Sequence, residues 1–289
     1  MECAFPERLL VSGAEATKMS SFKRRIQDMQ FDGFLNKVAR EPSTVRLDGA
    51  WMQGRAGFGG LVAALVYESM RKQLSQPAPV RCLQISFVGP VDDSELELTS
   101  EILREGKNVS QVLGRGLQNG QTKVIVQGSF GAGRESAIDL APERLSLNGS
   151  VNDTTKLPYI EGAIPEFTRN FDYRYLTPFP FMGSDKPYLE GYVRFAESPK
   201  VMTEAHLLGL VDAWPPTPLP MMKSLCMASS LSWTIEFIQP QPSLRPDEYT
   251  QYRAEIIESS GGYAYAKALI SNEAGELLAI SQQTTVHFG

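Results

Sequence analysis

The side chains that most often perform chemistry in enzymes are sparse in this sequence. It has two histidines, His206 and His287, and three widely spaced cysteines, Cys3, Cys82 and Cys226. The cysteines form no CxxC pair, and no group of histidines and cysteines has the spacing of metal ligands. Neither histidine is close in sequence to a candidate nucleophile, and no GxSxG motif is present. We therefore expect no metal, no cofactor and neither a serine nor a cysteine nucleophile.

A second feature that could take part in chemistry is a glycine-rich segment, "GRAGFGG" at positions 54–60. It lacks the lysine and the spacing of a phosphate-binding loop. The apolar run "GGLVAALVYE" follows it with the periodicity of a helix. Because the first N–H groups of a helix have no acceptor within the helix, this start predicts free backbone donors at Gly59 and Gly60. The glycines are equally compatible with tight packing of the helix on a sheet.

The overall composition is ordinary for a globular protein and excludes several classes of partner. The chain has 289 residues, of which 42% are hydrophobic, and a formal net charge of −5. The negative charge gives no reason to expect a nucleic-acid surface. No stretch approaches the roughly 18 apolar residues of a membrane helix. No signal peptide is apparent and the cysteines are few, so we expect a cytoplasmic protein without a membrane span.

One strand pattern occurs twice in the chain. "LQISFVGP" at positions 83–90 and "SWTIEFIQP" at positions 232–240 both alternate apolar and polar residues and both end on a proline. The isoleucine, phenylalanine and proline at 85, 87 and 90 recur at 235, 237 and 240. Each half also has one helix followed by several strands. The pattern predicts an internal duplication.

The polar, turn-rich segment between the halves sets the predicted domain boundaries. We predict an N-terminal extension at 1–27, a first domain at 28–135, a linker at 136–164 and a second domain at 165–289. A helix ahead of an antiparallel meander buries its apolar surface when the sheet curls around it. Two such units remove an exposed edge by joining side by side. The prediction is an α+β protein with two antiparallel sheets, each wrapped around a long helix and joined edge to edge.

The duplicated helix-and-sheet units resemble a known family. Sheets wrapped around a helix are hot-dog folds, and "GRAGFGGLVAAL" and "SLSWTIEFIQP" resemble segments of the acyl-CoA thioesterase II family of double hot-dog thioesterases. The resemblance covers roughly residues 28–289. It implies an enzyme that hydrolyses acyl-CoA thioesters to free fatty acid and CoA, without a covalent acyl-enzyme. Pairing of two chains into a homodimer is compatible with this architecture.

The resemblance also implies a catalytic set that holds and activates a water. Asp212 matches the family's helix aspartate, Ser230 its hydroxyl residue and Gln283 its final-strand glutamine. Strand parity does not separate Gln283 from Gln282. By parity Ser230 lies on the polar face of its strand, and it reaches a site only if the strand is irregular at its start. The family often has an "LDH"-like sequence where this chain has Leu-Ser-Trp at 231–233.

Substrate binding is expected at the start of the first helix. We assign Phe58, Gly59 and Gly60 to it, because free N–H groups and the helix dipole favour a developing oxyanion there. Glycine also lets a thioester approach the backbone closely. The site would then combine an oxyanion end from one half with a water from the other.

Three other interpretations stay open at this point. Asp212 borders an apolar stripe and is also compatible with an exposed helix face. The protein could be a non-catalytic hot-dog module that binds acyl-CoA or lipid. A hot-dog enoyl-CoA hydratase is the third, although such enzymes normally use an aspartate and a histidine close together on one loop, and neither histidine here has such a neighbour.

Overall fold

A computed structural model describes residues 30–40 and 43–288. The predicted N-terminal extension lies outside the described residues and stays a prediction. The three α-helices are α1 (Phe31–Arg40), α2 (Gly59–Arg71) and α3 (Glu204–Asp212). Short 3-10 turns occur at Gly49–Trp51, Val151–Asp153, Glu166–Asn170 and Leu219–Met221.

Most of the remaining chain is antiparallel β-structure. The strands of the first half are β1 (Thr44–Arg46), β2 (Met52–Gln53), β3 (Ala56–Gly57), β4 (Val80–Phe87), β5 (Glu95–Glu105), β6 (Ser110–Gln118) and β7 (Gln121–Phe130). Those of the second half are β8 (Thr155–Lys156), β9 (Phe171–Tyr175), β10 (Tyr188–Phe195), β11 (Met227–Phe237), β12 (Thr250–Ser260), β13 (Tyr263–Ser271) and β14 (Leu277–Phe288). The small strands β2 and β3 pair with each other, and the other twelve form one sheet.

The two halves meet along the two strands that carry the repeated pattern. The sheet order is β1-β5-β6-β7-β4-β11-β14-β13-β12-β10-β9-β8, so β4 and β11 are neighbours at the centre. Their antiparallel register places Leu83 opposite Ile235 and Ile85 opposite Trp233, and all four side chains are buried. Backbone hydrogen bonds thus run from one half into the other. The prediction was two sheets joined edge to edge, and this ladder joins the strands of the two halves into a single twelve-stranded sheet.

Helix α2 is a core element, as its apolar sequence predicts. Ten of its 13 residues are buried, and it packs on β5, β6, β7 and the other two helices. Gly114 in β6 permits this close packing, since a Cβ there would lie 2.5 Å from Val66 Cγ1 and 2.7 Å from Met70 Cγ. The helix therefore rests on the sheet backbone itself at this point.

Helix α3 has well-defined ends. At its start the backbone N–H of Thr203 donates to His206 Nδ1 at 3.2 Å. The sequence predicts a helix over 202–214, and the structure has the shorter helix Glu204–Asp212. The prolines at 215 and 216 lack the N–H needed to continue it. Asp212 is consequently the last residue of α3, close to the start of α2, against which α3 packs.

The segment between the halves, 131–154, has no strand and only one short 3-10 turn. Side chains of the second half hold it in place. Glu190, only 1% exposed, accepts hydrogen bonds from the backbone N–H and the Nδ2 of Asn148, at 2.9 and 2.7 Å. Arg144 Nη1 donates to the carbonyl of Ala274 at 2.9 Å. The segment is thus bound to the second half, and the domain boundaries stay a prediction.

Candidate active site

The end of α3 and the start of α2 meet at Asp212. Gln283 on β14 donates from Nε2 to Asp212 Oδ1 at 3.2 Å. The backbone N–H of Gly60, in the first turn of α2, donates to the same carboxylate. The first half of the chain thus supplies a backbone donor, and the second half supplies the carboxylate and the amide. The structure brings together three of the residues that the sequence and the resemblance indicate.

Two glycines make this close approach of the helices feasible. A Cβ on Gly59 would lie 2.9 Å from Asp212 Oδ2, and one on Gly60 would lie 3.0 Å from Asp212 Cβ. Distances this short are not tolerated without a shift of the helices. The carboxylate therefore lies directly against the backbone at the start of α2. In this arrangement the Gly60 N–H donates to Asp212, and the Gly59 N–H is the candidate donor for a substrate oxygen.

The surroundings of Asp212 favour its neutral form. Burial raises the pKa of this carboxyl to about 7, although the hydrogen bonds from Gln283 and Gly60 act in the opposite direction. The free carbonyl groups at the C-terminal end of α3 also disfavour a negative charge there. A carboxylate whose pKa lies near neutrality is suited to act as a general base. Asp212 is thus not an ordinary surface acid of an exposed helix face.

Ser230 reaches the inner face of the sheet through an irregularity in β11. The strand pairs Ser230 with Thr285 and Ser232 with Thr284, so Leu231 is an extra residue in a bulge. Beyond the bulge Trp233 pairs with Gln283. Gln283 and Thr285 share one face of β14, so Ser230, which pairs with Thr285, lies on the face that carries Gln283. One residue pair separates the pair of Ser230 from the pair of Gln283 along the ladder. The irregularity that the sequence argument required is present, and the Leu-Ser-Trp sequence provides it.

The structure distinguishes the two adjacent glutamines by their orientation. Gln283 pairs with the fully buried Trp233 and contacts Asp212. Gln282 pairs with Thr234, and its side chain is exposed on the opposite face. Strand parity predicts opposite faces for neighbours but not which one faces the helices. The contact with α3 selects Gln283.

Phe58 and four further aromatic residues complete the surroundings. Phe58, 1% exposed, precedes α2 and stacks on Phe167 with ring centroids 4.3 Å apart. Phe87 lies about 3.1 Å from the Cβ position of Gly59. The charge of Asp212 contributes, after burial, to raised pKa values of Tyr173 and Tyr252, so both rings lie near it. Alternating strand patterns in the sequence could have indicated inward-facing aromatics, but not their proximity to Asp212.

The surroundings of His206 and of the described cysteines indicate structural roles. His206 is 2% exposed, its Nε2 lies 2.9 Å from Asp32 Oδ1, and its ring packs against Phe31 and Phe195. Burial lowers the pKa of His206, and the nearby Asp32 carboxylate acts in the opposite direction. Cys82 and the other described cysteine, at position 226, are free thiols. Within residues 30–40 and 43–288, no group of three or more potential ligands could hold a metal ion.

Comparison with known proteins identifies the family. The family model of the acyl-CoA thioesterase N-terminal domain matches residues 47–131, and that of the acyl-CoA thioesterase C-terminal domain matches residues 142–287. The chain belongs to the acyl-CoA thioesterase family. It is therefore a thioesterase, as the resemblance in the sequence implied. No curated protein matches this thioesterase at a significant level.

Solved structures establish the fold of this thioesterase. A hot-dog-fold protein of unknown function from Alicyclobacillus acidocaldarius is 15% identical, with a TM-score of 0.74 over 85% of this chain and 92% of that chain. An acyl-CoA thioesterase II from Mycobacterium marinum is 18% identical, with a TM-score of 0.65 over 80% of this chain and 89% of that chain. The predicted hot-dog fold is confirmed. In the part of the thioesterase that the structure describes, no helix is long and apolar enough to span a membrane.

Proposed function

We propose that this thioesterase hydrolyses acyl-CoA with a water that Asp212, Ser230 and Gln283 hold and activate. The observation that carries the proposal is the convergence of Gln283 and the Gly60 N–H on an Asp212 carboxyl whose pKa is raised to about 7. A thioester is an electrophile already, so an oriented water and a base are sufficient chemistry. No covalent intermediate is required, which agrees with the absence of a GxSxG motif from the sequence.

The first step of the proposed reaction is attack by water. The ionised Asp212 accepts a proton while the water oxygen bonds to the carbonyl carbon of the thioester. Gln283 and Ser230 supply hydrogen bonds that orient the water and the carboxylate. The carbonyl oxygen gains negative charge, and the backbone N–H of Gly59 at the start of α2 stabilises it with the help of the helix dipole.

The second step is collapse of the tetrahedral intermediate. The carbonyl is restored, the carbon–sulfur bond breaks, and the electron pair leaves with the CoA sulfur. The proton taken up by Asp212 passes to that thiolate or to the solvent, and Asp212 returns to its ionised form. The products are a free carboxylic acid and the CoA thiol, so release of thiol is a direct measure of the reaction.

The remaining finer expectations are part of the proposal. One is the division into domains at 28–135 and 165–289 with a linker at 136–164. Another is that one half of the sheet curves around α2 and the other half around α3. They also include a role of Phe58 in substrate binding, a homodimer and a cytoplasmic location. Because Phe58 is buried among aromatic rings, its contribution to substrate binding would be to hold the start of α2 in place.

The rate of hydrolysis should depend on pH through Asp212. The base is active only when ionised, so kcat/KM should rise with pH, with an apparent pKa of about 7, and then become constant. Below pH 6 we expect kcat/KM to fall about tenfold per pH unit, because the ionised fraction of Asp212 falls by that factor. Thiol release from acyl-CoAs of graded chain length, followed between pH 5 and 9, provides the measurement. Binding of acyl-CoA without thiol release at any pH would support the non-catalytic module instead.

Gln283 should influence both the rate and the pH at which Asp212 ionises. Its hydrogen bond lowers the pKa of Asp212, so Gln283→Ala should shift the pH–rate profile to higher pH and reduce kcat/KM about 10- to 100-fold. Gln282→Ala is the matched control, because the neighbouring side chain is exposed on the other face. If the two variants have the same kcat/KM and the same profile, Gln283 is not part of the site.

A further inference from the structure

A groove lies at the edge of the sheet in the second half, on the loop that joins β8 to β9. The chain that leaves β8 forms one side of it with Lys156, Pro158 and Tyr159. The chain that returns to β9 forms the other side with Thr168 and Arg169. The volume of the groove is about 440 Å³, which is within the range of small-molecule sites.

The side chains that line this groove are positive, although the protein as a whole is acidic. Lys156, Arg169 and Arg194 contribute three positive charges and Asp172 contributes one negative charge, so the lining has a net charge of +2. The whole chain has a formal net charge of −5. A concave surface with charges of one sign focuses the electric field and attracts the opposite charge. The groove is therefore a candidate site for an anion.

Asp172 fixes the positions of two of the cations at the groove. It accepts a hydrogen bond from the Tyr249 hydroxyl at 2.7 Å, and its carboxylate lies 3.2 Å from Arg174 Nε and 3.6 Å from Arg194 Nη2. Arg194 also stacks on the Tyr249 ring, with its guanidinium carbon 4.4 Å from the ring centroid. Burial alone would raise the pKa of Asp172, but the hydrogen bonds from Tyr249 and Arg174 and the nearby positive charges lower it. The ionised carboxylate thus holds two guanidinium groups and balances the charge of only one.

The two cations at the rim of the groove are held more loosely. Lys156 Nζ lies 3.5 Å from Asp172 Oδ1, and Arg169 Nη1 lies 3.5 Å from Glu166 Oε2. Both distances are longer than the roughly 2.7–2.9 Å of a charge-assisted hydrogen bond, and both cationic side chains are 61% exposed. Glu166 adds a negative charge beside the groove, but Arg174 adds a positive one, so the excess of two positive charges remains. Lys156 and Arg169 are therefore available to an anionic ligand.

The groove is separate from the proposed water site. Asp172 and Tyr173 are neighbours on β9 and therefore face opposite sides of the sheet. Tyr173 is buried on the inner side near Asp212, so Asp172 and the cations around it lie on the outer side. Phe167, in the loop that carries the groove, stacks on Phe58 at the start of α2 with ring centroids 4.3 Å apart. The same loop thus contacts the segment that leads into the proposed water site.

We propose that this groove, lined by Lys156, Arg169, Arg194 and Asp172, binds a phosphate group of a small molecule, and we call it the phosphate groove. Guanidinium and ammonium groups are well suited to phosphate oxygens, and an arginine can bind two of these oxygens at once. One source of the phosphate is CoA, whose nucleotide end carries a diphosphate and a 3′-phosphate. The other is a free phosphate compound that binds apart from the substrate. Neither source depends on the way in which Asp212 activates water.

Titration calorimetry tests the phosphate groove with three probes: CoA, pantetheine, which has the same arm without phosphates, and inorganic pyrophosphate. Lys156→Gln and Arg169→Gln each remove one positive charge from an exposed side chain. Each should weaken the binding of a phosphate-bearing probe about tenfold, the usual effect of losing one hydrogen bond to a charged group. Lys107→Gln, in the exposed turn between β5 and β6, removes the same charge elsewhere and should leave the affinities unchanged.

The same probes distinguish the two sources of phosphate. If the source is CoA, the wild type should bind CoA at least about tenfold more tightly than pantetheine, and pyrophosphate should compete with CoA. Lys156→Gln and Arg169→Gln should then raise KM for acyl-CoA at an unchanged kcat, and leave the hydrolysis of acyl-pantetheine unchanged. If the source is a free phosphate compound, pyrophosphate should bind equally well with and without CoA, and the two variants should weaken only its binding.

Two outcomes overturn the phosphate groove. One is a wild-type protein that binds neither CoA nor pyrophosphate more tightly than pantetheine. The other is that Lys156→Gln and Arg169→Gln bind both phosphate-bearing probes as tightly as Lys107→Gln does. Because binding is measured without thiol release, this test is independent of the proposed function. A protein that binds the probes as expected but hydrolyses no thioester would refute the proposed function and support the groove.

Discussion

Asp212→Asn should reduce kcat for acyl-CoA hydrolysis by about 10²- to 10⁴-fold, the usual contribution of a general base. Asparagine has nearly the same shape and still accepts the hydrogen bond from Gln283, but it cannot take a proton from water. We therefore expect the variant to bind acyl-CoA and to lose the pH dependence near 7. Thiol release in single-turnover experiments gives the rate, and calorimetry with a non-hydrolysable analogue gives the affinity.

Asp93→Asn is a suitable control, because its side chain is 77% exposed and lies in the loop between β4 and β5. It should hydrolyse acyl-CoA at the wild-type rate. Far-UV circular dichroism of Asp212→Asn should match that of the wild type, since the asparagine amide has nearly the same shape as the carboxyl group. Hydrolysis by a correctly folded Asp212→Asn within tenfold of wild type would show that another group activates the water.

Trp233→Ala should destabilise the protein by about 3–5 kcal/mol, the usual cost of removing a buried aromatic side chain. Trp233 is 0% exposed at the centre of the sheet, where it pairs with Ile85 across the boundary between the halves. Its Nε1–H also donates to Ser281 Oγ at 2.9 Å, and the substitution leaves that buried hydroxyl with one partner fewer. Urea unfolding followed by circular dichroism measures the loss in the free energy of unfolding.

Leu231→Ala provides the comparison on the same strand. Leu231 lies in the bulge and is 39% exposed, so its truncation should cost less than about 1 kcal/mol. Trp233→Phe should give an intermediate loss, because it retains much of the buried area and removes the hydrogen bond. Equal losses for Trp233→Ala and Leu231→Ala would mean that the halves do not share a core at β4 and β11.

The hot-dog fold was predictable because its signals are local. The apolar circumference of α2 and the alternation in β4 and β11 are visible in short stretches of sequence, and their repetition indicates a duplication. Which strands would pair is a different kind of question. The pairing of β4 with β11 joins residues about 150 positions apart, and no local periodicity specifies it. The prediction of two sheets joined edge to edge therefore did not specify which strands form the joining ladder.

The candidate site also combines features that the sequence indicated with features that only the structure decided. Asp212 could be singled out only through the family resemblance, because an acidic residue beside an apolar stripe is equally compatible with an exposed position on the surface. Parity left Gln282 and Gln283 undecided, and only the contact with α3 selects Gln283. Ser230 depended on an irregularity that parity cannot foresee. The bulge at Leu231 supplies it by reversing the alternation.

The sequence by itself determined the repeated helix-and-strand pattern, the family, and the residue types that an activated water needs. The tertiary structure decided which of those residues meet. Asp212 from α3, Gln283 from β14 and Gly60 from α2 converge because the two helices lie side by side and antiparallel, with the end of α3 beside the start of α2. Hydrophobic periodicity is a property of neighbouring residues, whereas the raised pKa of Asp212 arises from burial among residues distant in sequence.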